Sequence, residues 1–286
     1  MKKFGRVINN ASLKNYNTYK IDARCKYLIF INDQNKLRDL LDYLNKISVK
    51  YFILGNGSNI ILPDYYDGVV IKLELNPFFI ESNTITVGAS YMLNKLANIT
   101  VKESLKGLEW AAGIPGTVGG SVIGNASCYE ESLMPLIIKL EVLDNGVLKT
   151  ITTNDFNYSY RHTTLKDDKI IILKATFKLD SGNKEELLEI IKDRTKKRVG
   201  SQPLEYPSAG SVFKNPEGYF AGKLIEDSGL KGYRLGGAEI SEKHANFIIN
   251  KEDATSQDIK ALIKYIRNKV FEKYGINLIL EQEIIN

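Results

Sequence analysis

The chain has 286 residues, 43% of them apolar and 10% aromatic, which is enough for a sizeable core and is not a disordered composition. Lys and Arg outnumber Asp and Glu by 39 to 34, and the resulting +5 is spread without a basic face or stripe. This balance suits an anionic small substrate and argues against nucleic acid as a partner.

Cys25 and Cys128 form no CxxC pair, and His162 and His244 are the only histidines. A thiol-redox motif, a zinc knuckle and a histidine-rich metal site are excluded, so no metal is expected. Met1-Lys2-Lys3-Phe4-Gly5 leads into no apolar signal core. No stretch approaches the roughly 20 apolar residues that span a bilayer. The expectation is a cytoplasmic protein with reduced thiols and no membrane insertion.

Residues 33–46 read as a helix, with Leu37, Leu40, Leu41 and Leu44 on one face. Short strands are expected at 51–54, 60–62, 69–73 and 84–87, the first running into Gly55-Asn56-Gly57-Ser58-Asn59. A helix at 91–105 precedes a glycine-dense segment at 107–124. Strands at 136–143 and 148–152 are joined by Asp144-Asn145-Gly146, a strong hairpin signal. Another strand is expected at 170–177.

A break at Asp180-Ser181-Gly182-Asn183 precedes a helix at 184–198, with Leu187, Leu188 and Ile191 on its apolar side. The basic run at its end, residues 192–198, reads as a solvated helix terminus; the functional alternative is a set of cations facing phosphates. A short helix at 221–228 and a strand at 245–249 follow. The surest helix is 256–273, with Ile259, Leu262, Ile263, Ile266, Val270 and Phe271 at helical spacing. Thr255 caps it, Asp258 completes a capping box and Gly275 stops it. Residues 276–285 are extended, and no internal repeat is present.

Three loops carry candidate chemistry. In the first, Leu54, Gly55, Asn56, Gly57, Ser58 and Asn59 follow a strand, and exposed amides there can hold a pyrophosphate. The loop is neither a GxGxxG fingerprint nor a P-loop, and an ordinary tight turn is the plain alternative. The second loop carries five of the 22 glycines: Gly113, Gly116, Gly119, Gly120 and Gly124. With Ile114, Pro115, Thr117, Ser121, Asn125 and Ala126 it can press backbone against a flat cofactor and supply amides to ring atoms and phosphates. The plain alternative is a compact buried loop. Trp110 beside it reads as core, and Cys128 as a small buried side chain.

The third loop, Pro207-Ser208-Ala209-Gly210-Ser211-Val212-Phe213-Lys214-Asn215-Pro216, has no Gly-x-Ser-x-Gly elbow and no evident histidine base. A serine there can protonate a carbanion beside a carboxylate, since that transfer is downhill. Lys214 and Asn215 can bind phosphate or sugar oxygens. A turn with capping serines is the plain alternative.

These loops occur in order with Tyr160-Arg161, with Gly222-Lys223-Leu224-Ile225-Glu226 and with Gly236-Gly237-Ala238-Glu239-Ile240-Ser241-Glu242-Lys243-His244-Ala245. Together they resemble the UDP-N-acetylenolpyruvoylglucosamine reductase family, also called UDP-N-acetylmuramate dehydrogenases. The resemblance runs from Asn17-Thr18-Tyr19 to Glu281 and points to the shorter subclass, which lacks an inserted tyrosine loop. It implies an α+β chain: an FAD-binding fold of the vanillyl-alcohol-oxidase type in two subdomains, plus a C-terminal α+β substrate domain. The implied limits are 1–75 for the first subdomain, completed by the C-terminal strand, 76–182 for the second and 183–286 for the substrate domain.

The resemblance further implies tight non-covalent FAD, NADPH as co-substrate and a UDP-sugar substrate; the diffuse charge leaves no nucleic-acid partner expected, and the oligomeric state is left open with a monomer the favoured expectation. The implied reaction reduces the enolpyruvyl group of UDP-N-acetylglucosamine enolpyruvate to UDP-N-acetylmuramate in peptidoglycan precursor synthesis. Hydride passes from flavin N5 to C3, and a proton from serine to C2. Carried over by position, the catalytic residues are Arg161, Ser211 and Glu281, and Tyr160, Lys214 and Asn215 bind substrate. The glutamate's segment usually reads Leu-Glu-Pro-Glu-Val, and Glu283 is the second candidate. His162 reads as a local hydrogen bonder.

Overall fold

A computed structural model describes residues 1–286. The chain forms two compact units. The first comprises residues 1–8, 27–56 and 68–197; the second comprises 9–26, 57–67 and 198–286.

The first unit holds most of one sheet and all of another. One has the order Arg6–Ser12, Arg24–Ile31, Tyr65–Leu73, Tyr51–Ile53. Its last pair is parallel, with Tyr51 opposite Val69 and Ile53 opposite Ile71. The helix Gln34–Lys46 lies on it, started by Asp33, whose carboxylate accepts from the Asn35 and Lys36 amides. The four leucines of its apolar face pack against Ile29, Ile31, Val69 and Ile71.

The other sheet is antiparallel, in the order Val147–Ile151, Ile137–Asp144, Ile171–Lys178, Thr84–Gly88, Phe78–Glu81. Its hairpin turn has Asn145 at φ 47° and Gly146 at φ 80°. Two consecutive left-handed residues match the right-handed twist of the strands they join. The helices Leu93–Lys102 and Val118–Ile123 share a core with this sheet, and Trp110 belongs to it, 3% exposed with its ring N–H on Gly107 O at 2.8 Å. The helix Lys184–Ser201 is three residues longer than the sequence suggests and buries only Leu187. Leu188 is exposed, because one apolar column suffices for a helix that lies mostly in water. The basic run is part of this helix: Lys192 pairs with Glu189, Lys197 with Asp193 and Arg194 with Glu131.

In the second unit, Arg234–Leu235, Ala238–Ile240 and Ile248–Asn250 form an antiparallel sheet in that order. The helix Ser256–Tyr274 buries Ile259, Leu262, Ile263, Ile266 and Val270. Its capping box is present, with Thr255 Oγ1 accepting from Asp258 N and Asp258 accepting from Thr255 N; Gly275 ends it at φ 68°. Phe271, expected on the apolar face, is half exposed. Near the chain end only Glu283–Ile284 pairs as a strand, parallel to Ile60–Ile61.

Candidate active site

In the first unit, the loop after Tyr51–Ile53 leaves the carboxyl end of a parallel strand, where open sheets bind ligands. Leu54 is buried and donates its amide to Ile71 O at 2.8 Å. The Lys72 ammonium holds the Gly55 carbonyl. Burial pushes the Lys72 pKa down, and Glu74 partly offsets this. In a trans peptide the carbonyl and the next N–H point in opposite directions, so the Asn56 amide faces away from Lys72. Asn56 Nδ2 donates to Pro115 O at 2.6 Å, tying this loop to the second. A Cβ on Gly55 would lie 2.9 Å from Thr117 Oγ1, so glycine is required there by close approach.

The second loop makes a wall rather than a rack of amides. Val118 N–H donates to Tyr91 O and Gly119 N–H to Ala89 O. Gly120 N–H turns to Thr117 Oγ1 at 3.3 Å, and the Ser121, Gly124, Asn125 and Ala126 amides bond within the loop. The expectation that this segment supplies amides to a ligand is therefore not met by these seven. A Cβ on Gly119 would lie 2.9 Å from Ala89 Cβ. Gly113, Pro115 and Gly120 are exposed, with Ile114, Gly116 and Gly124 half-buried beside them. A Cβ on Gly124 would meet nothing nearer than Gly120 O at 3.5 Å. The buried Asn125 donates Nδ2 to Ser159 O at 2.8 Å, and its Oδ1 takes no donor from the protein. A strip of small side chains beside a lone buried acceptor fits a flat heteroaromatic ring with an N–H edge, so the residues present fit FAD.

Arg161 sits in the turn of the hairpin Tyr158–Ser159 and His162–Thr163, at φ 56°. A left-handed non-glycine residue is strained and persists only where its surroundings fix it. Two bonds fix this hairpin: Ser159 O accepts from Asn125, and Thr163 Oγ1 donates to Ile123 O at 2.7 Å. The Arg161 guanidinium lies 5.7 Å from the Tyr160 ring centre, and Tyr160 is exposed. His162 Nε2 is 3.3 Å from Asp167 Oδ2.

In the second unit, Gly57 takes φ 65°, and a Cβ there would lie 2.4 Å from Tyr16 O. Its carbonyl accepts from the Thr18 amide at 3.1 Å and hydroxyl at 3.2 Å, which turns the Ser58 amide the other way. Asn59 Nδ2 donates to Glu281 O at 3.1 Å, and Asn59 O accepts from Glu283 N.

Val212, next to Ser211, is held from both sides. Val212 N–H donates to Asn246 O at 2.8 Å, and Val212 O accepts from Glu281 N at 2.9 Å. Phe213 lies antiparallel to Leu280, and Lys214 N–H donates to Ile279 O. This register sets Glu281 opposite Val212, one residue from Ser211. Glu283 pairs instead with Ile60 and is exposed. A cavity of about 360 Å³ opens at Ser211, lined also by Asn215, Phe220, Lys223, Lys243 and His244. Asn215 is exposed there and accepts from the Ala221 amide; Lys214 is half-buried. His244 Nδ1 accepts from Asn246 N at 3.2 Å, and burial pushes its pKa below the ordinary histidine value.

Residues 25–148 match a family described as FAD binding domain, and residues 202–285 match UDP-N-acetylenolpyruvoylglucosamine reductase, C-terminal domain. The chain is 40% identical over 286 residues to the UDP-N-acetylenolpyruvoylglucosamine reductase of Caldanaerobacter subterraneus subsp. tengcongensis, covering 99% of this chain and 95% of that one. It belongs to the UDP-N-acetylenolpyruvoylglucosamine reductase family. The Clostridium novyi reductase is 39% identical over 98% of this chain and 92% of its own length. The solved reductase of Thermus caldophilus aligns with a TM-score of 0.84 at 31% identity, over 99% of both chains. A glucose dehydrogenase, Phl p 4.0202, aligns at TM-score 0.50 and 14% identity over 62% of this chain, which shows a shared fold alone.

For this reductase-family chain the fold is therefore the FAD-binding α+β arrangement with a C-terminal domain, as the sequence motifs imply. Lys223, Lys243 and His244 received no role from the sequence, although they lie inside two of the motif segments. Two lysines that follow a serine-bearing loop in an enzyme for an anionic substrate are the signal that finds them. No helix is long and apolar enough to cross a membrane.

Proposed function

We propose that this protein reduces the enolpyruvyl group of UDP-N-acetylglucosamine enolpyruvate to UDP-N-acetylmuramate with NADPH, in peptidoglycan precursor synthesis. The observation that supports the reading is the pairing of residues 212–214 with 279–281, which puts Glu281 opposite Val212, next in the chain to Ser211, and Ser211 lines a cavity with two lysines. FAD bound here would supply the hydride-carrying chemistry between NADPH and C3 of the enolpyruvyl group. Gly113, Pro115 and Gly120 with the Asn56 amide would hold it, while the lysines attract the substrate's phosphates.

Reduction at C3 builds negative charge at C2 and in the neighbouring carboxylate. Arg161 offers two parallel N–H donors to that carboxylate, a geometry lysine cannot supply. One such preorganised donor contributes about 3 kcal/mol to the transition state. Ser211 gives its proton to C2, and Glu281 hydrogen-bonds the reacting end of the substrate. Tyr160, Lys214 and Asn215 complete substrate binding. We assign the protein to the cytoplasm and divide it at 1–75, 76–182 and 183–286.

Ser211→Ala tests the reading. It should retain FAD and oxidise NADPH at nearly the parent rate, yet fail to reduce the enolpyruvyl substrate. Equal loss of both half-reactions would remove Ser211 from the proton-donor role.

A further inference from the structure

We infer that Gln282 is the positioning residue that holds the Ser211 hydroxyl in its reactive pose. The inference rests on the assignment of Ser211 as proton donor. Gln282 is 3% exposed and lies between the two candidate glutamates. It is placed opposite Ser211 by the register that pairs Phe213 with Leu280. Its side chain spans two segments. Nε2 donates to Ala209 O at 3.0 Å and to Gly210 O at 3.2 Å, the two carbonyls immediately before Ser211. Oε1 accepts from the Tyr19 hydroxyl at 3.0 Å.

The chemistry of the amide is needed here. One end must donate to two carbonyls while the other accepts from a phenol, and among uncharged side chains of this reach only glutamine does both. Tyr19 is itself fixed. It is 1% exposed, its carbonyl accepts from Asn250 Nδ2 at 2.8 Å, and Asn250 N–H donates to Pro207 O. A closed path therefore runs from Pro207 through Asn250, Tyr19 and Gln282 back to Ala209 and Gly210. Gly210 needs this support. It stands at φ 73°, and a Cβ there would meet nothing nearer than Ser58 O at 3.9 Å, so its conformation is not held by packing. The two bonds from Gln282 fix the peptide planes that aim Ser211, and the bond from Val212 N–H to Asn246 O fixes the plane after it. One segment thus carries both the candidate glutamate and the amide that holds the peptides before Ser211.

The test compares four purified FAD-loaded variants. Gln282→Met keeps length and removes all three side-chain bonds. Tyr19→Phe removes only the bond at Oε1. Gln282→Glu keeps the acceptor for Tyr19 and loses the amide donor, and Ser211→Ala is the reference. In Gln282→Met, substrate-driven flavin reoxidation should slow by roughly 100-fold, the loss a 1 Å misplacement of a reacting group produces. Its solvent deuterium isotope effect should rise while NADPH-driven reduction and UDP-sugar affinity stay at parent values. Tyr19→Phe should lose stability with only a few-fold change in reoxidation. Gln282→Glu should regain rate as pH falls, because a protonated carboxyl again donates to a carbonyl at 209 or 210. If Gln282→Met does not fold, the rising rate at low pH in Gln282→Glu carries the same expectation. Parent-like reoxidation and isotope effect in Gln282→Met, or a flat pH response in Gln282→Glu, would overturn the inference while leaving Ser211 in place. A Ser211→Ala protein that reoxidises normally would overturn the serine assignment instead.

Discussion

Asn246 substitutes for a strand edge beside the candidate serine, and its removal has a calculable cost. Its Oδ1 accepts from Phe213 N at 3.0 Å, and its Nδ2 donates to Phe213 O at 2.8 Å. Asn246 is 4% exposed and Phe213 is 1% exposed, so water does not replace these bonds. Asn246→Ala leaves one buried donor and one buried acceptor unpaired, each costing about 1–3 kcal/mol. The sum, about 4 kcal/mol, is a large share of the roughly 5–15 kcal/mol that holds a native protein together. Urea denaturation followed by far-UV circular dichroism measures it as a lower midpoint at unchanged slope. Asn246→Asp should also destabilise at neutral pH, because a carboxylate accepts from Phe213 N but meets Phe213 O with a second acceptor. That defect should shrink on acidification as the carboxyl regains a proton to donate. An Asn246→Ala protein within about 0.5 kcal/mol of the parent, the range of an indifferent surface change, would refute the reasoning.

Two further outcomes are expected. Arg161→Lys should keep FAD and NADPH oxidation but lose about 100-fold in substrate reduction, the equivalent of one preorganised donor, read in single-turnover experiments; parent-like turnover would show that the paired donors are not used. The pKa of His244 is depressed by burial, so between that value and the ordinary one the unfolded chain binds more protons than the folded one. Stability should fall as pH drops below about 6.5, the unperturbed histidine value, and His244→Gln should flatten that part of the profile in urea titrations against pH. An unchanged profile in the variant would show that His244 is not the group responsible.

Local chemistry made part of this fold legible. Thr255, Asp258 and Gly275 bound the longest helix because each acts on groups within a few residues, and Asn145-Gly146 fixes its hairpin for the same reason. Non-local choices were hidden. The strand Arg6–Ser12 is mostly exposed, so it shows no alternation to read. The strand expected at 245–249 is Ile248–Asn250, because Asn246 and Phe247 are used in a turn, with Phe247 N–H on His244 O. Residues 276–285 pair for only part of their length, changing partner from 212–214 to 59–61 around Glu281.

The candidate site shows the same division. Its loops announce themselves by glycine and serine in short motifs. The commitment of the Val118 and Gly119 amides to Tyr91 and Ala89 depends on a segment nearly 30 positions upstream, which no local pattern encodes. Gln282 is more remote still, since its phenol partner is Tyr19, 263 positions away.

The most direct test of the account is an anaerobic two-step mixing experiment on the purified yellow protein. NADPH should bleach the flavin absorbance, and the enolpyruvyl UDP-sugar, added without oxygen, should restore it stoichiometrically with formation of the lactyl ether. A protein that purifies colourless, or one whose colour returns only on admitting oxygen, would contradict it.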